Sequence, residues 1–288
     1  MSEHRFTLVT GAAGKTGLAV IRALTQRGVR IRALVRTADQ AQVVRLAGAS
    51  EILSGDLNEY DLVLKAMEGI SAVYLLFPNM QPNEFELGQA AIAAAGKQNV
   101  RFILYHSVLF PQIEAMPHHW QKLRVEEALI QSGLAFTILQ PASYMQNIKA
   151  QWEMIKSTGK FRFPYSINAG FSLVDLNDVA AAACECLLGS GHANAIYPLA
   201  GPQRLSSLQM AEGMGTVLER EVQARQQPLG EWRQQALAAG HSAYAIDALS
   251  KMFIYYDRCG FTGPSWILEW LIGRSPNTFS QYLGTLDK

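Results

Sequence analysis

The residues whose chemistry is easiest to interpret form a glycine-rich turn near the amino end of the chain. The segment reads Thr10-Gly11-Ala12-Ala13-Gly14-Lys15-Thr16-Gly17 and follows a short apolar stretch. Glycines in this G-x-x-G-x-x-G spacing let the backbone turn tightly and approach a diphosphate, which a Cβ atom would obstruct. A helix beginning near Gly14 would also point free N–H groups at the anion. We therefore predict a dinucleotide phosphate site formed by Gly11, Ala13, Gly14, Lys15, Thr16 and Gly17. The alternative is a structural turn without a ligand.

The residue at the end of the second expected strand indicates which dinucleotide binds. Arg36 closes the segment Leu34-Val35-Arg36, about twenty residues after the glycine turn, where NAD-specific proteins usually carry an acid. A carboxylate there would accept from the ribose 2′-hydroxyl, whereas a guanidinium pairs with a 2′-phosphate. The sequence therefore favours NADP(H) as the cofactor over NAD. An ordinary solvated surface charge is the alternative interpretation of Arg36.

The elements that must position these residues alternate between strands and helices in the first half of the chain. Short β-rich runs predict strands over Phe6–Val9, Arg30–Val35, Ser50–Leu53, Ala72–Phe77, Phe102–His106 and Phe136–Gln140. Between them, helix formers at helical spacing predict helices over Leu18–Gln26, Gln40–Leu46, Tyr60–Met67, Glu84–Lys97 and Met116–Gln131. Such alternation predicts an α/β fold with a doubly wound parallel sheet of Rossmann type.

The second half of the chain is less regular. We predict strands at Phe171–Val174 and Ile196–Leu199, a helix at Asp178–Leu187, and a helix capped by Ser206 or Ser207 that runs to Leu218. Further helices are expected beyond about residue 225. We predict a nucleotide-binding core over residues 1–150, with residues 171–200 returning to its sheet. Residues 151–170 and 201–288 then form a smaller, mainly C-terminal α/β lobe for a substrate or partner.

Composition restricts the class of protein and its location. Hydrophobic residues make up 49% of the chain and charged residues 17%, which is enough for a large core and argues against disorder. A net charge of +1 leaves no electrostatic basis for direct binding of nucleic acid or a membrane surface. Three cysteines without a Cys-x-x-Cys pair fit a reducing compartment. With no signal-peptide pattern at Met1–Arg5 and no spanning apolar run, we expect a cytoplasmic protein. A monomer or a homodimer is expected.

Several segments resemble the NmrA-like branch of the atypical short-chain dehydrogenases/reductases. Over roughly residues 5–220, the matching segments are Gly11–Gly17, Ala33–Arg36, Gly55–Leu57, Phe102–Ser107, Gln140–Asn147 and Leu173–Ala180. The resemblance implies that Asp56 and Leu57 lie near the adenine, and that the cofactor also contacts Leu76, Phe77, Pro78, Pro141 and Tyr144. Other interpretations remain open: a helix N-cap for Asp56, plain core for Leu76, Phe77 and Tyr144, and a structural turn and cap for Asp175 and Asp178.

The same resemblance implies a catalytic helix with one notable departure. Ordinary members of the superfamily carry Tyr-x-x-x-Lys, in which the lysine holds the nicotinamide ribose and lowers the pKa of the tyrosine. Here the segment reads His118-His119-Trp120-Gln121-Lys122, so His118 replaces the tyrosine and Lys122 is retained. Either His118 acts as the acid, or Lys122 acts with the ribose alone, or the site performs no chemistry. Ser107 is expected to bind a substrate oxygen or to end its strand in a turn.

No metal site is expected, because adjacent helical residues such as His118 and His119 point apart and no third ligand is apparent. The function predicted is an NADPH-dependent reductase of an electron-poor conjugated molecule, such as a quinone or a delocalised dye. The alternative is a non-catalytic NADP(H) redox sensor of NmrA type that acts through a protein partner. An apolar substrate pocket is expected from aromatic residues of the lobe, or these residues are core: Trp152, Phe161, Phe163, Tyr165, Trp232, Tyr244 and Phe253.

Overall fold

The computed structural model describes residues 6–286, so the expectation for Met1–Arg5 lies outside the described residues. Within that range the strands are β1 (Phe6–Val9), β2 (Ile31–Val35), β3 (Glu51–Ser54), β4 (Ile70–Leu75), β5 (Phe102–His106), β6 (Phe136–Pro141), β7 (Lys160–Phe163), β8 (Ala195–Leu199) and β9 (Gln223–Gln226).

The helices of the same range are α1 (Lys15–Gln26), α2 (Ala38–Leu46), α3 (Tyr60–Ala66), α4 (Glu84–Lys97), α5 (Pro117–Gln131), α6 (Trp152–Thr158), α7 (Leu176–Leu188), α8 (Ser207–Leu218), α9 (Leu229–Ala238), α10 (Ala243–Cys259), α11 (Trp266–Ile272) and α12 (Phe279–Leu283). A 3₁₀ helix covers Met145–Gln151. No helix of the described chain is both long and apolar enough to cross a membrane.

Seven strands form one sheet in the order β3-β2-β1-β4-β5-β6-β8. The pairings of β1 with β2 and β4, of β2 with β3, and of β5 with β4 and β6 are all parallel. Strands β2 and β3 therefore lie on one side of β1, and strands β4, β5, β6 and β8 follow one another on its other side. In such sheets, ligands bind beyond the carboxyl ends of the strands where the order reverses, here β1 and β4. The predicted Rossmann-type α/β class is confirmed.

Burial on both faces explains why these strands read as apolar runs. All four residues of β1 are buried, as are the last three of β2 and of β4. One face of the sheet packs against α3, α4 and α5 through a cluster that includes Leu8, Val73, Ile103, Val125 and Leu129. Burying each such side chain stabilises the fold by about 1.5–3 kcal/mol, so the sheet provides a rigid base for the loops at its carboxyl edge.

The chain divides into two compact units. The first comprises the chain up to Gln112 together with His119–Gln140 and Val179–Tyr197. The second comprises Ile113–His118, Pro141–Asp178 and the chain from Pro198 onward. Cys184 and Cys186 are buried and Cys259 is exposed, and all three are free thiols.

The expected strand at Phe171–Val174 is wrong. Phe171 makes isolated bridges to Leu205 and Phe261, and Val174 makes one to Tyr144. Because neighbouring residues pair with different segments, no ladder extends along this stretch. The parallel pair β7 and β9 was not expected, since the residues of β9 are polar or small and carry no strand propensity.

The turn at the start of α7 belongs to the second unit. Asp175 and Asp178 form a structural turn and cap there, as one interpretation of the sequence predicts. Asp175 accepts from the backbone N–H of Asn177 at 2.8 Å. Asp178 is fully buried and accepts from Arg274 Nη2 at 2.5 Å and from the N–H of Asn277 at 2.7 Å. These bonds fix the segment before α12 to the start of α7.

Candidate functional site

The glycine turn after β1 is closely packed, which explains two of its glycines. Gly11 has a φ of +56°, and a Cβ there would lie 2.9 Å from the carbonyl oxygen of Leu76. A Cβ on Gly17 would lie 2.5 Å from the Gly11 oxygen and 2.6 Å from the Ala12 oxygen. Gly14 donates its N–H to the Gly11 oxygen at 3.1 Å. The turn therefore depends on glycine at positions 11 and 17 before any ligand is considered.

Helix α1 begins directly at this turn. Gly14 is its N-cap, without a side-chain hydrogen bond to the first turn. The N–H groups of a helix's first turn have no partner inside the helix, and together with the helix dipole they favour an anion. Protein around Lys15 desolvates its ammonium group and lowers its pKa, an effect that a nearby phosphate would oppose. The turn and helix start thus fit a diphosphate.

Thr10 joins the carboxyl ends of β1 and β4, a role that the sequence analysis did not recognise. Its hydroxyl donates to the Leu76 oxygen at 2.8 Å and accepts from the Leu76 N–H at 2.8 Å. Its own N–H donates to the Tyr74 oxygen at 3.2 Å. Fully buried, Thr10 fixes the place where the strand order reverses. A threonine that ends an apolar strand just before a glycine turn is a signal that could have identified it.

Arg36 and Asp56 lie at the ends of the neighbouring strands β2 and β3, and both are exposed. Asp56 accepts from the N–H of Asn58 at 2.9 Å and from its side-chain amide at 2.7 Å. These bonds lower the pKa of Asp56, and the charge of Arg36 lowers it further. Helix α3 has Glu59 as its N-cap, so the interpretation of Asp56 as that N-cap is wrong; it forms a turn three residues earlier. Leu57 is half-buried and packs against the core cluster.

The segment after β4, Leu76–Pro78, packs partly into the core and partly against the glycine turn. Phe77 is buried, and its ring meets that of Tyr105 edge-on at 6.3 Å between centroids. Leu76 is half-buried beside Gly11, and Pro78 is also half-buried. Phe77 thus has the core role left open for it. A contact of these residues with a cofactor stays a prediction.

Lys122 forms a buried ion pair in the first unit. Its Nζ atom lies 2.6 Å from Oε1 of Glu84, and the two side chains are 11% and 1% exposed. The hydroxyl of Tyr105 donates to the same Oε1 atom at 2.9 Å. Glu84 therefore anchors the lysine that the sequence analysis assigned to catalysis, and one of the three N–H donors of its ammonium group points at that carboxylate.

A close approach of α4 and α5 makes this ion pair possible. A Cβ on Gly88 would lie 2.6 Å from Cγ2 of Val125, so only glycine fits there without a shift. The N–H of Phe85 donates to the side chain of Gln121 at 3.2 Å. Glu84 lies one turn before Gly88, and Lys122 lies nearly one turn before Val125. Gly88 thus lets α4 and α5 approach closely enough for the Glu84 carboxylate and the Lys122 ammonium group to meet.

Ser107 contacts a second buried carboxylate beside this pair. Its hydroxyl donates to Oε1 of Glu126, and the amide of Gln140 donates to both carboxylate oxygens at 3.0 Å. Ser107 and Glu126 are each 3% exposed. Burial raises the pKa of Glu126, against the opposing effects of Ser107, Gln140 and the charge of Lys122. Glu126 follows Lys122 by four residues, a spacing that places two helical residues on one face and could have identified it.

The histidines around this cluster have separate environments. His119 is buried, with Nδ1 at 3.1 Å from the Phe110 oxygen, and burial lowers its pKa to about 4. This agrees with a packing role. Burial also lowers the pKa of His106 to about 3, and its Nδ1 atom lies 2.5 Å from the Tyr74 hydroxyl. His118 is a buried residue of the second unit.

Among residues 6–286, no group of three His, Cys, Asp or Glu side chains is arranged to hold a metal.

The remaining expected site residues belong to the second unit. Pro141 ends β6 and is buried, whereas Tyr144 is half-buried and precedes the 3₁₀ helix. Several aromatic residues expected around a substrate pocket pack against one another. Phe163 stacks on Tyr165 at 5.0 Å between centroids, and Trp232 meets Phe253 edge-on at 4.8 Å. These rings contribute to an aromatic core of that unit.

The packing of Gly17 makes a direct prediction for the turn. We expect Gly17→Ala to reduce the unfolding free energy by about 1–3 kcal/mol, as overpacking does, and to weaken dinucleotide binding, because its Cβ would displace the Gly11 and Ala12 carbonyl groups. Chemical denaturation and calorimetry with NADPH would measure both effects. Gly96→Ala is the matched control, since a Cβ there meets nothing within 4 Å. Wild-type binding and stability in Gly17→Ala would contradict the role of this close packing.

The parallel sheet, its reversal between β1 and β4, and the glycine turn at the start of α1 together define a Rossmann-type nucleotide-binding protein. The family model of the NmrA-like family matches residues 3–285. The chain belongs to the NmrA-like family, which confirms the resemblance inferred from its motifs.

Three known proteins illustrate the range of this likeness. The NAD(P)H azoreductase of Xenophilus azovorans is 28% identical over 280 residues, which is 96% of each chain. The NADPH-dependent quinone oxidoreductase of Escherichia coli, solved with NADPH, is 23% identical with a TM-score of 0.85 over 98% of this chain and 100% of its own. NmrA, a negative transcriptional regulator solved with NADP, is 17% identical with a TM-score of 0.82 over 99% and 96%. The two structural likenesses establish the fold.

Proposed function

We propose that this protein is an NADPH-dependent reductase of an electron-poor, conjugated small molecule of the quinone or dye type. The observation that carries the proposal is the compact Gly11–Gly17 turn at the start of α1, with Arg36 exposed on the next strand. The azoreductase and quinone oxidoreductase relatives support the choice of reaction. On this proposal the protein acts in the cytoplasm as a monomer or homodimer.

On this proposal, the loops that follow strands β1 to β4 of the first unit hold the cofactor. The glycine turn and the first turn of α1 bind the diphosphate, and Arg36 pairs with the 2′-phosphate. Asp56 and Leu57 lie beside the adenine, while Leu76, Phe77 and Pro78 follow the cofactor from the end of β4. The cofactor contacts expected for Pro141 and Tyr144 remain sequence-based predictions. NADPH supplies the hydride when it is bound.

Lys122 is the residue proposed to act at the nicotinamide ribose. Glu84 fixes its position at 2.6 Å, which limits the motion of the ammonium group and leaves further N–H donors for a ligand. An acceptor with a delocalised π-system spreads the charge that develops during hydride transfer. Reduction of such a substrate therefore depends less on a strong proton donor than reduction of a simple carbonyl does. This agrees with His118 at the position where ordinary members of the superfamily carry the tyrosine. His118 is the alternative acid.

Absorbance of the reduced nicotinamide tests the proposal. We expect NADPH to be consumed in the presence of a quinone, an azo compound or a cationic triarylmethane dye, and consumption to fall sharply in Lys122→Ala. Lys65→Ala, which removes an exposed lysine of α3, should retain wild-type rates. Tight NADPH binding without turnover of any acceptor would overturn the proposal.

That second outcome would favour a non-catalytic NADP(H) sensor acting through a protein partner. The specific observation in its favour is the structural likeness to NmrA, a transcriptional regulator solved with NADP. The participation of Lys122 in a buried ion pair is compatible with a purely structural lysine. A partner whose affinity differs between NADP-bound and NADPH-bound protein would support this alternative.

A further inference from the structure

A cluster of buried charges at the carboxyl end of β5 contains more carboxylates than cations. Glu84 and Glu126 are 1% and 3% exposed. The ammonium group of Lys122 lies 2.6 Å from Glu84 and satisfies that carboxylate. Glu126 has no ion pair of this kind among the described residues; its contacts are the neutral side chains of Ser107 and Gln140. A buried carboxylate without a paired cation is costly, and binding a proton relieves that cost.

The groups that face Glu126 come from four elements. Lys122 precedes it on α5, Tyr105 and Ser107 lie on and just after β5, Gln140 lies on β6, and Glu84 on α4 contacts both Lys122 and Tyr105. Burial raises the pKa of Tyr105 well above its ordinary value, so it remains neutral and adds no charge. Lys122 is therefore the cation of this group, and it is already engaged by Glu84.

From this arrangement we propose that Glu126 takes up a proton and passes it, through the Ser107 hydroxyl, to the substrate atom that gains negative charge during reduction. The inference depends on the proposed reductase function. Glu126 acts here as a positioning and proton-storing residue, while Ser107 is the group that would touch the substrate. Such a relay would replace the proton donor that related enzymes obtain from the tyrosine absent here.

The proton balance of the relay can be written for a quinone. Its reduction to the hydroquinone takes up one hydride, which carries both electrons and leaves NADP⁺ behind, and one proton. When Glu126 carries its proton, the carboxyl O–H donates to the Ser107 oxygen, the reverse of the bond to the carboxylate, and the Ser107 O–H turns to the substrate. The O–H bond of Ser107 breaks as its proton joins the reduced oxygen, and the carboxyl proton of Glu126 moves to the Ser107 oxygen. Glu126 is left as a carboxylate that accepts two bonds from the Gln140 amide, and solvent water then returns the proton.

Two acceptors distinguish this relay from the hydride step. A quinone needs both hydride and proton, whereas a cationic triarylmethane dye is neutralised by hydride alone. We expect Glu126→Gln to lower the quinone-to-dye ratio of turnover about 10²-fold, the usual contribution of a positioned proton donor, and Ser107→Ala to lower it similarly. Glu127→Gln, the exposed neighbour on the same helix, is the matched control and should keep the wild-type ratio.

An independent readout tests the stored proton without turnover. Infrared spectra of the wild-type protein at the pH of the turnover assays should contain the carbonyl band of a protonated carboxylic acid, and the part of this band that comes from Glu126 should be lost in Glu126→Gln and kept in Glu127→Gln. Because burial raises the pKa of Glu126, its protonated form stabilises the folded state at low pH. The unfolding free energy of the wild type relative to that of Glu126→Gln should therefore decline as the pH rises from the ordinary pKa of a carboxyl group through the raised pKa of Glu126.

The outcomes separate the relay from the proposed function. If the wild type reduces neither acceptor, the proposed reductase function fails and the relay fails with it. If the wild type reduces both and Glu126→Gln slows both equally, the relay alone is overturned. An infrared spectrum identical in wild type and Glu126→Gln would overturn the stored proton whatever the rates.

Discussion

Replacing Arg36 with aspartate is expected to weaken NADPH binding about 10²-fold while changing NADH binding only slightly. A charge-assisted contact contributes about 1.5–3 kcal/mol, and a factor of ten in affinity corresponds to about 1.4 kcal/mol. The guanidinium lies at the exposed end of β2, near enough to Asp56 for its charge to influence that carboxyl. The substitution therefore leaves two carboxylates where the 2′-phosphate would bind, and both would repel it.

Calorimetric titration with each dinucleotide measures this selectivity directly. Arg45→Asp makes the same change in charge on an exposed residue of α2 and should leave the ratio of the two affinities unchanged. The backbone N–H of Arg36 donates to the Gln40 side chain at 2.8 Å, a bond that survives the substitution and should keep the start of α2 in place. Equal weakening of NADPH and NADH binding would show that Arg36 does not recognise the phosphate.

Local sequence patterns were sufficient where an element's environment repeats along its length. Buried strands of a parallel sheet need continuous apolar residues, and β5 accordingly spans the predicted Phe102–His106. Helix α4 likewise spans the predicted Glu84–Lys97. The strand Gln223–Gln226 depends instead on its distant partner Lys160–Phe163. No local pattern carries that information, and for the same reason Phe171–Val174 has strand-like residues but no continuous partner.

The same distinction applies to the candidate site. The glycine turn is contiguous, so its conformational needs can be read directly from the residues between Gly11 and Gly17. Glu84 could not be connected with Lys122 in this way, because their contact depends on how closely α4 approaches α5 at Gly88. Glu126 is intermediate, since its helical spacing from Lys122 was visible while its contact with Ser107 was not. Residues that act through tertiary contacts are thus the part of a site that sequence predicts least well.

The buried ion pair leads to the second prediction, which separates the structural role of Lys122 from a role in turnover. Lys122→Met should lower the unfolding free energy by about 3–5 kcal/mol, because it leaves Glu84 charged and buried without its cation. Helix α4 begins at Glu84, so the positive end of the helix dipole offsets part of this loss. In the double variant Glu84→Gln/Lys122→Met, the neutral amide can still accept from Tyr105, and most of the lost stability should return.

Denaturant unfolding of the wild type, both single variants and the double variant gives the coupling energy of the pair. A double variant that is as stable as the wild type but inactive would assign Lys122 a part in turnover, because loss of folding could no longer explain the loss of activity. A double variant that is both stable and active would make Lys122 purely structural. Lys122→Met with wild-type stability would contradict the prediction, since the buried carboxylate of Glu84 loses its only ammonium neighbour among the described residues.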